Sequence, residues 1–471
     1  AAHRGSKAAT ILQAMMQVLS MLLACSTSAA MPSAVPPRRT PIMAWNAWNT
    51  FSVNGKPLRG GRHEYQSIAD ALVESGMRDA GYVLVQTVCT DWIGRDPITH
   101  ELQQNLTLWP GGMKSFADYL HSKGLKLAVY TDAGNFNCCM EPGSAGYEDI
   151  DMKTFASWGV DSVGVDYCHV SADANVNVRA AYQKFADGIK KSGRAMQLGM
   201  WNLGLGRAWS WAPEMSRSLA AAAQGSWVPH FRLTSDIGNV WATYHGPTMG
   251  VITTVDTIQA IPDVWSYGAG NESGTYPNYG QLAVGVPKDH PTIGDPGLTL
   301  IEAQSHFSMW CMFPSMLMAT NDVRLRDKDI EYILLNNETI AINQDPHGSP
   351  AFRINAGPQH WRSDMGFDPR TPDLLQWARH LANGDIAALT LNRNDNATQN
   401  ATLVFGDFLP GLAGGAYRVR DLQAKQDLGL ACQRISFTLK PHETAFLRLT
   451  KINNTCTTPL MESRTATDIF T

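Results

Sequence analysis

Residues 160–166, with the sequence VDSVGVD, form a short apolar run that ends in a carboxylate. Similar runs occupy residues 125–131 and 196–201, and amphipathic stretches such as residues 115–122 and 178–191 lie between several runs. Strand-like runs that alternate with helical stretches predict parallel β/α units. The candidate strands are Pro41–Asn46, Tyr82–Thr87, Leu125–Thr131, Val160–Asp166, Met196–Trp201, His230–Thr234, Val264–Ala269 and Ser315–Thr320. Eight units in about 300 residues predict a (β/α)8 TIM barrel of the α/β class.

After Pro346 the pattern changes to short β-rich runs separated by Gly, Asn and Asp. The runs are Leu374–Arg379, Ile386–Asn392, Ala401–Phe405, Tyr417–Asp421, Arg434–Lys440 and Thr444–Thr450. They predict a C-terminal antiparallel β-sandwich. The expected domain bounds are residues 31–348 for the barrel and 349–452 for the sandwich, with a polar tail over residues 453–471.

The composition is typical of a large globular protein. Of the 471 residues, 44% are hydrophobic and 17% are charged, which excludes disorder of the whole chain. The formal charge of −4 gives no electrostatic footprint for nucleic acid or for an anionic membrane. Fourteen Trp and forty Gly suit an enzyme with aromatic-lined clefts and tight loops. We expect no nucleic-acid partner and no cofactor, and a homodimer stays open.

The first thirty residues have the pattern of a signal peptide. His3, Arg4 and Lys7 precede a mostly apolar stretch over residues 8–24, and small residues follow over residues 26–30. A buried amphipathic helix is the alternative interpretation. No later segment has the roughly 18 uninterrupted apolar residues that span a bilayer. We therefore expect secretion to an extracellular, vacuolar or lysosomal site, without a membrane anchor after cleavage.

Sequons and cysteines fit an oxidising compartment. The sequence has Asn-x-Ser/Thr sequons at Asn105, Asn271, Asn337, Asn396, Asn400 and Asn453, which predict a glycoprotein. Removal of Cys25 with the signal peptide leaves seven cysteines, so at least one stays free or pairs between chains. Since no cysteine lies in a CxxC array with His, we expect no metal site.

Two carboxylates follow predicted strands at the barrel end where catalytic groups lie. Asp166 ends the run over residues 160–165, and Asp236 follows residues 231–235. Reactive side chains project from the C-terminal ends of barrel strands, and a pair of facing carboxylates suits glycoside hydrolysis. An Asp after a strand also serves as a helix cap or a turn former. Spacing alone leaves both interpretations open.

Ten short motifs occur in a fixed order along residues 40–450. They are MAWNAWNTF (43–51), YTDAG (130–134), PGS (142–144), FASWGVD (155–161), VDYC (165–168), FRLTSDI (231–237), HFSMW (306–310), AINQDPHG (341–348), YRVRDL (417–422) and PHETA (441–445). This ordered set resembles the motifs of glycoside hydrolase family 27, the α-galactosidase and α-N-acetylgalactosaminidase family. The resemblance implies a retaining α-glycosidase whose expected substrate is an α-linked galactoside or a related oligosaccharide or polysaccharide.

The resemblance also implies roles for single residues. It makes Asp166 the nucleophile and Asp236 the acid/base. The residues expected to bind substrate are Trp48, Asp91, Tyr130, Trp201, Asn202 and Arg232. Asp132 matches a family Asp for which a structural role is expected. Cys138 and Cys168 match a family disulfide, although the adjacent Cys139 leaves that pairing ambiguous.

The sequence departs from the family at sugar-holding positions. The family Asp-Asp-Cys-Trp, whose acids hold the galactose 4- and 6-hydroxyls, aligns with residues 88–92, where Asp91 is the remaining carboxylate. Gly164 replaces a Lys, Met200 replaces a polar residue that faces the 2-substituent, and residues 271–281 replace Asn-Asp-Pro-Asp-Met. Glu272, together with Asp91 and Asn202, is a candidate alternative clamp.

Two other functions therefore stay open. One is the same mechanism on α-glucosyl or β-L-arabinopyranosyl units, and the other is a catalytically silent carbohydrate-binding protein. Retention of Asp166, Asp236 and Arg232 favours an enzyme.

Overall fold

The structure is a computed structural model. It describes residues 39–53, 56–57, 60–170, 177–243, 248–259, 261, 273–288, 297–354, 372–408 and 415–455. The expected signal peptide, the expected strand at residues 264–269 and Glu272 of the alternative clamp lie outside these residues. Within the described ranges, no helix combines the length and the apolar character that crossing a membrane requires.

Eight strands form one parallel sheet. They are β1 (Met43–Asn46), β2 (Leu84–Gln86), β3 (Lys126–Asp132), β4 (Ser162–Asp166), β5 (Gln197–Trp201), β6 (His230–Arg232), β7 (Tyr276–Asn278) and β8 (Leu317–Ala319). Their order in the sheet is β7-β6-β5-β4-β3-β2-β1-β8. Leu282, which follows β7, forms a parallel bridge with Ala319 of β8 and brings the two edges together. The predicted TIM barrel is confirmed.

The α-helices of the described chain follow the strands. They are Arg62–Glu74, Met77–Ala80, Gly112–Ser122, Glu148–Ser157, Val178–Ser192, Ala212–Ala222, Val251–Gln259, Leu300–Met312, Lys328–Leu334 and Asn337–Asn343. The helix Val178–Ser192 shows why they form. Its buried residues Tyr182, Phe185 and Ile189 recur every three or four positions, and the Asn177 side chain caps it by accepting from Ala180 N.

The seventh barrel strand lies at Tyr276–Asn278, after the segment expected from the sequence. It pairs in parallel with β6, with Pro277 opposite Phe231. A Pro and a preceding Gly-Thr are typical of a turn, so the local sequence does not predict a strand here. Pro277 is tolerated because β7 is the end strand in the sheet order.

The C-terminal domain is the expected antiparallel sandwich. Its strands are β9 (Phe352–Arg353), β10 (Leu374–His380), β11 (Ile386–Asn392), β12 (Gln399–Val404), β13 (Gly415–Asp421), β14 (Gln426–Cys432), β15 (Arg434–Leu439) and β16 (Thr444–Thr455). One sheet has the order β9-β10-β11-β16-β13-β14, and the other pairs β12 with β15. The sequence did not predict β9 or β14. The last strand also runs three residues beyond the expected boundary at 452.

Within the part of the chain that the structure describes, the loops also contain three pairs of two-residue strands and three short 3₁₀ helices. The strand pairs are Ser52–Val53 with Lys56–Pro57, Gly94–Arg95 with Leu102–Gln103, and Asp236–Ile237 with Thr248–Met249. The 3₁₀ helices are Leu205–Ser210, Val323–Leu325 and Phe405–Asp407.

Polar side chains join the barrel to the sandwich. His442, just before β16, contacts Glu302 Oε1 through Nδ1 at 2.7 Å and Asp395 Oδ1 through Nε2 at 2.9 Å. Its ring stacks on Trp241 with centroids 4.5 Å apart. Since Glu302 lies in a barrel helix and Asp395 lies between β11 and β12 of the sandwich, His442 connects the two domains.

Candidate active site

Asp166 is the last residue of β4 and lies beside Asp132 of β3 and Trp201 of β5 in the sheet register. The Tyr130 hydroxyl donates to Asp166 Oδ2 at 2.7 Å, and the Tyr167 backbone N–H donates to Oδ1 at 2.8 Å. Each carboxylate oxygen therefore has one fixed donor and keeps lone pairs for another partner. This arrangement orients the carboxylate at the C-terminal end of the barrel.

Two features of the pocket disfavour the ionised form of Asp166. Burial and the negative charge of Asp236 raise the pKa of Asp166 to about 7, although the Tyr130 hydrogen bond opposes the shift. Burial and the charge of Asp166 also raise the pKa of Tyr130 well above its ordinary value, so the phenol stays a donor. Asp236 is thus close enough for its charge to disfavour ionisation of Asp166.

Asp236 begins a short strand that follows β6. Its side chain is 57% exposed, and its Oδ1 accepts a hydrogen bond from Arg232 Nη1 at 3.0 Å. Arg232 ends β6 and is fully buried, and its Nη2 also donates to the Ser235 carbonyl. A fixed guanidinium therefore holds a carboxylate that solvent reaches, whereas Asp166 lies deeper.

The side chain of Asn202 is bonded to backbone groups, and its sugar contact stays a prediction. It is fully buried, its Oδ1 accepts from Arg232 N at 2.9 Å, and its Nδ2 donates to the Leu205 and Arg232 carbonyls at 2.8 and 3.3 Å. These bonds occupy both N–H groups of the amide and one acceptor site. Asn202 therefore fixes the end of β6, where Arg232 lies.

Asp132 organises the loops beside Asp166. Its carboxylate accepts from Gly134 N at 2.6 Å and from Cys168 N at 2.7 Å. Its side chain is fully buried, and burial raises its pKa. The two hydrogen bonds join the loop after β3 to the loop after β4. The structure thus gives Asp132 the structural contacts that the sequence led us to expect.

Two disulfides cross the same loops. One joins Cys138 to Cys168, as the resemblance implies, and the other joins Cys89 to Cys139. The ambiguity created by adjacent cysteines at 138 and 139 is resolved because each pairs with a different strand-end loop. Cys311 is a buried free thiol, in line with the odd count. The Cys89–Cys139 disulfide was not predicted.

The loop after β2 carries Asp91. The Asp91 carboxylate accepts from Asn105 Nδ2 at 2.6 Å, and its backbone N–H donates to the buried Glu141 carboxylate. Cys89 and Asp91 both have left-handed backbone angles, with φ of 51° and 63°. Non-glycine residues adopt this region only when their surroundings hold them there. These contacts give Asp91 a role in loop structure, and a sugar contact stays a prediction.

The aromatic residues differ in exposure. Trp48 is partly buried and packs against the barrel core, and its backbone N–H donates to Asn46 Oδ1 at 2.7 Å. Trp201 is 5% exposed, and its indole Nε1 is buried without a hydrogen-bond partner. An indole N–H is a donor only, so Trp201 offers one unused donor beside the pocket.

Sequence reasoning also missed Gln86. Its side chain lies against the backbone of Gly164, where a Cβ would overlap Gln86 Nε2. A glycine inside a strand is a general signal that another group approaches the backbone closely, but from the sequence Gly164 is interpreted only as the loss of a Lys.

Four residues beside the nucleophile have atoms of the type that bind metal ions within 4.8 Å of one another: Asp132, Cys138, Asp166 and Cys168. Cys138 and Cys168 form a disulfide and therefore offer no thiolate to a metal ion.

Comparison with known proteins places the chain in a family. A family model described as alpha galactosidase A matches residues 40–345, and one described as alpha galactosidase C-terminal beta sandwich domain matches residues 372–449. Alpha-galactosidase A of Cellvibrio japonicus is 34% identical over 365 residues, covering 76% of this chain and 77% of that protein. Alpha-galactosidase of Oryza sativa subsp. japonica is 31% identical and covers 88% and 85%.

Among solved structures, alpha-galactosidase I from Mortierella vinacea superposes with a TM-score of 0.74. It is 23% identical and covers 90% of this chain and 100% of that chain, so it supports the fold alone. The family model spans most of the barrel, and the two relatives are 34% and 31% identical over 76% and 88% of this chain. The chain therefore belongs to glycoside hydrolase family 27, the α-galactosidase family.

Proposed function

We propose that this glycosidase is a retaining α-galactosidase in which Asp166 is the nucleophile and Asp236 is the acid/base. The interaction between these two carboxylates at the barrel mouth carries the proposal, because the charge of Asp236 contributes to the raised pKa of Asp166. Retaining glycosidases use such a pair, one buried against the sugar and one within reach of the leaving group. The relatives' names supply the α-galactosyl substrate.

In the first step, an ionised Asp166 oxygen attacks the anomeric carbon. The bond from this carbon to the glycosidic oxygen breaks, and Asp236 gives its proton to that oxygen. The product is a glycosyl ester of Asp166 and a free alcohol. Tyr130 and the Tyr167 N–H keep the attacking carboxylate in one orientation.

In the second step, Asp236 takes a proton from water. The oxygen of that water attacks the anomeric carbon, the ester bond to Asp166 breaks, and the sugar leaves with its original anomeric configuration. The exposure of Asp236 lets both the leaving alcohol and the incoming water reach it. Arg232 holds the carboxylate in place through both steps.

The proton must change position when substrate binds. Burial and the charge of Asp236 raise the pKa of Asp166 to about 7, so before substrate binds Asp166 competes for the proton that the first step needs on Asp236. Sugar hydroxyls that donate to Asp166, and positive charge that develops on the anomeric carbon, favour the ionised nucleophile.

A panel of p-nitrophenyl glycosides tests the proposal: α-galactoside, α-glucoside, α-N-acetylgalactosaminide and β-L-arabinopyranoside. We expect turnover of the α-galactoside by the wild type and by the control Asp118→Asn, an exposed helix position, and none by Asp166→Asn. Proton NMR at early times should show α-galactose as the first product. Turnover by Asp166→Asn, a β-configured first product or no turnover of any glycoside would reject the proposal.

The loop after β2 supports one alternative substrate. In this loop Cys89 forms a disulfide and the Asp91 carboxylate accepts a hydrogen bond from Asn105. The pair of acids that binds the galactose 6-hydroxyl in the family is therefore not present here in the same form. β-L-Arabinopyranose has the ring hydroxyl pattern of galactose but lacks that hydroxymethyl group. A kcat/KM for the arabinopyranoside that exceeds the value for the galactoside would assign this substrate.

We also propose that the chain is a secreted glycoprotein. The two disulfides support this, since disulfides persist in oxidising compartments. Among the sequons, Asn337, Asn396 and Asn400 are exposed. Recovery of the protein from medium, a mass decrease after treatment with an N-glycosidase and a mature N-terminus at Met31 are the expected results. A cytosolic protein of unmodified mass would reject this.

A further inference from the structure

A polar floor lies inside the barrel, one layer below Asp166. Gln86 ends β2 on the same face as Leu84, which belongs to the interior cluster with Ala128 and Trp201. Gln86 is 2% exposed. Its neighbour in the register is Ala128 of β3, whose small side chain leaves room for the Gln86 side chain to reach past β3 to Gly164 of β4.

The direction of the Gln86 amide is fixed by a chain of hydrogen bonds. The Trp48 backbone N–H donates to Asn46 Oδ1, so the other end of that amide, Asn46 Nδ2, must be the donor. Asn46 Nδ2 donates to Gln86 Oε1 at 3.1 Å. The Gln86 –NH₂ group therefore points away from Asn46, and it lies against the backbone of Gly164.

A second donor converges on the same place. A Cβ at Gly164 would lie 2.9 Å from Trp201 Nε1 as well as overlapping Gln86 Nε2. Trp201 Nε1 is buried and has no hydrogen-bond partner. An unpaired buried N–H costs free energy unless an acceptor reaches it. Gly164 lies two residues before Asp166 on the same face of β4, so an acceptor there would also lie next to the nucleophile.

We infer that Gln86, together with the Trp201 N–H, binds one hydroxyl oxygen of the sugar and is a specificity-determining residue. The inference rests on the proposed glycosidase function. It assigns Gln86 and the Trp201 N–H to the sugar hydroxyl that lies nearest the barrel interior. Two N–H donors without an acceptor match a hydroxyl oxygen, which has two lone pairs. A sugar that lacks this hydroxyl, or carries it in the opposite configuration, leaves both donors unpaired and binds less well.

The test compares Gln86→Met with the control Gln197→Met. Gln197 is a buried glutamine at the first residue of β5, at the opposite end of the barrel from Asp166. Substrates are p-nitrophenyl α-galactoside and its four analogues that lack the hydroxyl at C2, C3, C4 or C6. We expect Gln86→Met to lower kcat/KM for the parent about 10- to 100-fold, and the control less than about threefold.

One deoxy analogue should be nearly insensitive to the change. For the analogue that lacks the contacted hydroxyl, we expect wild type and Gln86→Met to differ by less than about threefold. An equal loss for the parent and for all four analogues would overturn the inference, because a purely structural role predicts that result. If Gln86→Met does not fold, Trp201→Phe removes the second donor and is judged by the same criterion.

Calorimetric titration with free galactose separates this inference from the proposed function. Galactose binding without turnover of any glycoside would reject the glycosidase function, and the ratio of Kd between Gln86→Met and wild type would then judge Gln86. A Kd at least about fivefold weaker supports the inference, and equal Kd values overturn it. A wild type that neither binds galactose nor turns over the panel overturns both.

Discussion

The mouth of the barrel and the contact between barrel and sandwich both enclose charged groups, but they arrange them in opposite ways. At the barrel mouth, burial and the negative charges of Asp236 and Asp132 raise the pKa of Asp166 to about 7, and Arg232 pairs with Asp236 alone among these acids. At the domain contact, His442 lies between Glu302 and Asp395. The first arrangement crowds like charges, and the second pairs opposite ones.

The shifts in pKa show what each arrangement is suited to do. Burial lowers the pKa of His442, but hydrogen bonds to Glu302 and Asp395 outweigh it and raise that pKa. Burial raises the pKa of Glu302, but hydrogen bonds from His442 and Thr299 outweigh it and lower that pKa. Folding therefore favours the charged forms at the domain contact and disfavours a charged Asp166. A site in which the fold disfavours a charged group is suited to proton transfer, whereas a site in which the fold favours charged groups is suited to holding domains together.

Removal of the two carboxylates should give the largest effects. We expect Asp166→Asn to lower kcat about 10⁴-fold or more for every substrate, since no covalent intermediate forms. Asp236→Asn should lower kcat about 10²- to 10⁴-fold for an alkyl galactoside, and far less in the first step for 2,4-dinitrophenyl α-galactoside, whose leaving group needs no proton. Pre-steady-state release of the phenol distinguishes the two. Equal behaviour of both variants on both substrates would contradict the assigned roles.

The pH dependence of kcat/KM should follow the shared proton. With a pKa of about 7 for Asp166, the carboxylate pair loses its last proton above that pH, so kcat/KM should fall as pH rises through about 7. Tyr130→Phe removes a hydrogen bond that lowers this pKa, so the alkaline limb should move to higher pH. Initial rates from pH 4 to 9 provide the measurement. A limb that stays in place in Tyr130→Phe would argue against this coupling.

Removal of the strained charge should stabilise the fold while it abolishes activity. The folded pKa of Asp166 is above its unfolded value near 3.8, so its penalty is absent below about pH 4 and grows until pH passes 7. Asp166→Asn should therefore have the same Tm as wild type at pH 4 and a higher Tm at pH 8. The corresponding gain in the free energy of unfolding at pH 8 is at most about 4 kcal/mol. Differential scanning fluorimetry over this pH range suffices. A lower Tm at pH 8 would contradict the idea of stored strain.

Substitution at the domain contact should give the opposite and smaller pH dependence. The folded pKa of His442 is raised, so its contribution is fully present below the unfolded pKa near 6.5 and is lost as pH rises through the folded pKa. His442→Gln should lower Tm by about 3 °C at pH 5 and by less at pH 8.5. His347→Gln, at an exposed position, is the control. A deficit that grows toward pH 8.5 would show that charge pairing is not the source.

Several features followed from the sequence because they depend on local pattern. The alternation of apolar runs and amphipathic stretches predicted the barrel, and turn-separated β runs predicted the sandwich, since burial of one face imposes these periods. Asp166 and Asp236 were placed at strand ends by the same logic. The strand at Tyr276–Asn278 was missed because its backbone pairing overrides the turn preference of its Pro277 and the preceding Gly-Thr.

Other features were decided only by the tertiary structure. Nothing local to Gly164 or Gln86 shows that one lies against the other, since they lie on β4 and β2, on either side of β3 in the sheet. The Cys89–Cys139 pairing and the commitment of Asn202 to the β6 backbone have the same origin. A side chain's chemical type is written in the sequence, but which hydrogen bonds remain for a substrate depends on the neighbours that the fold supplies.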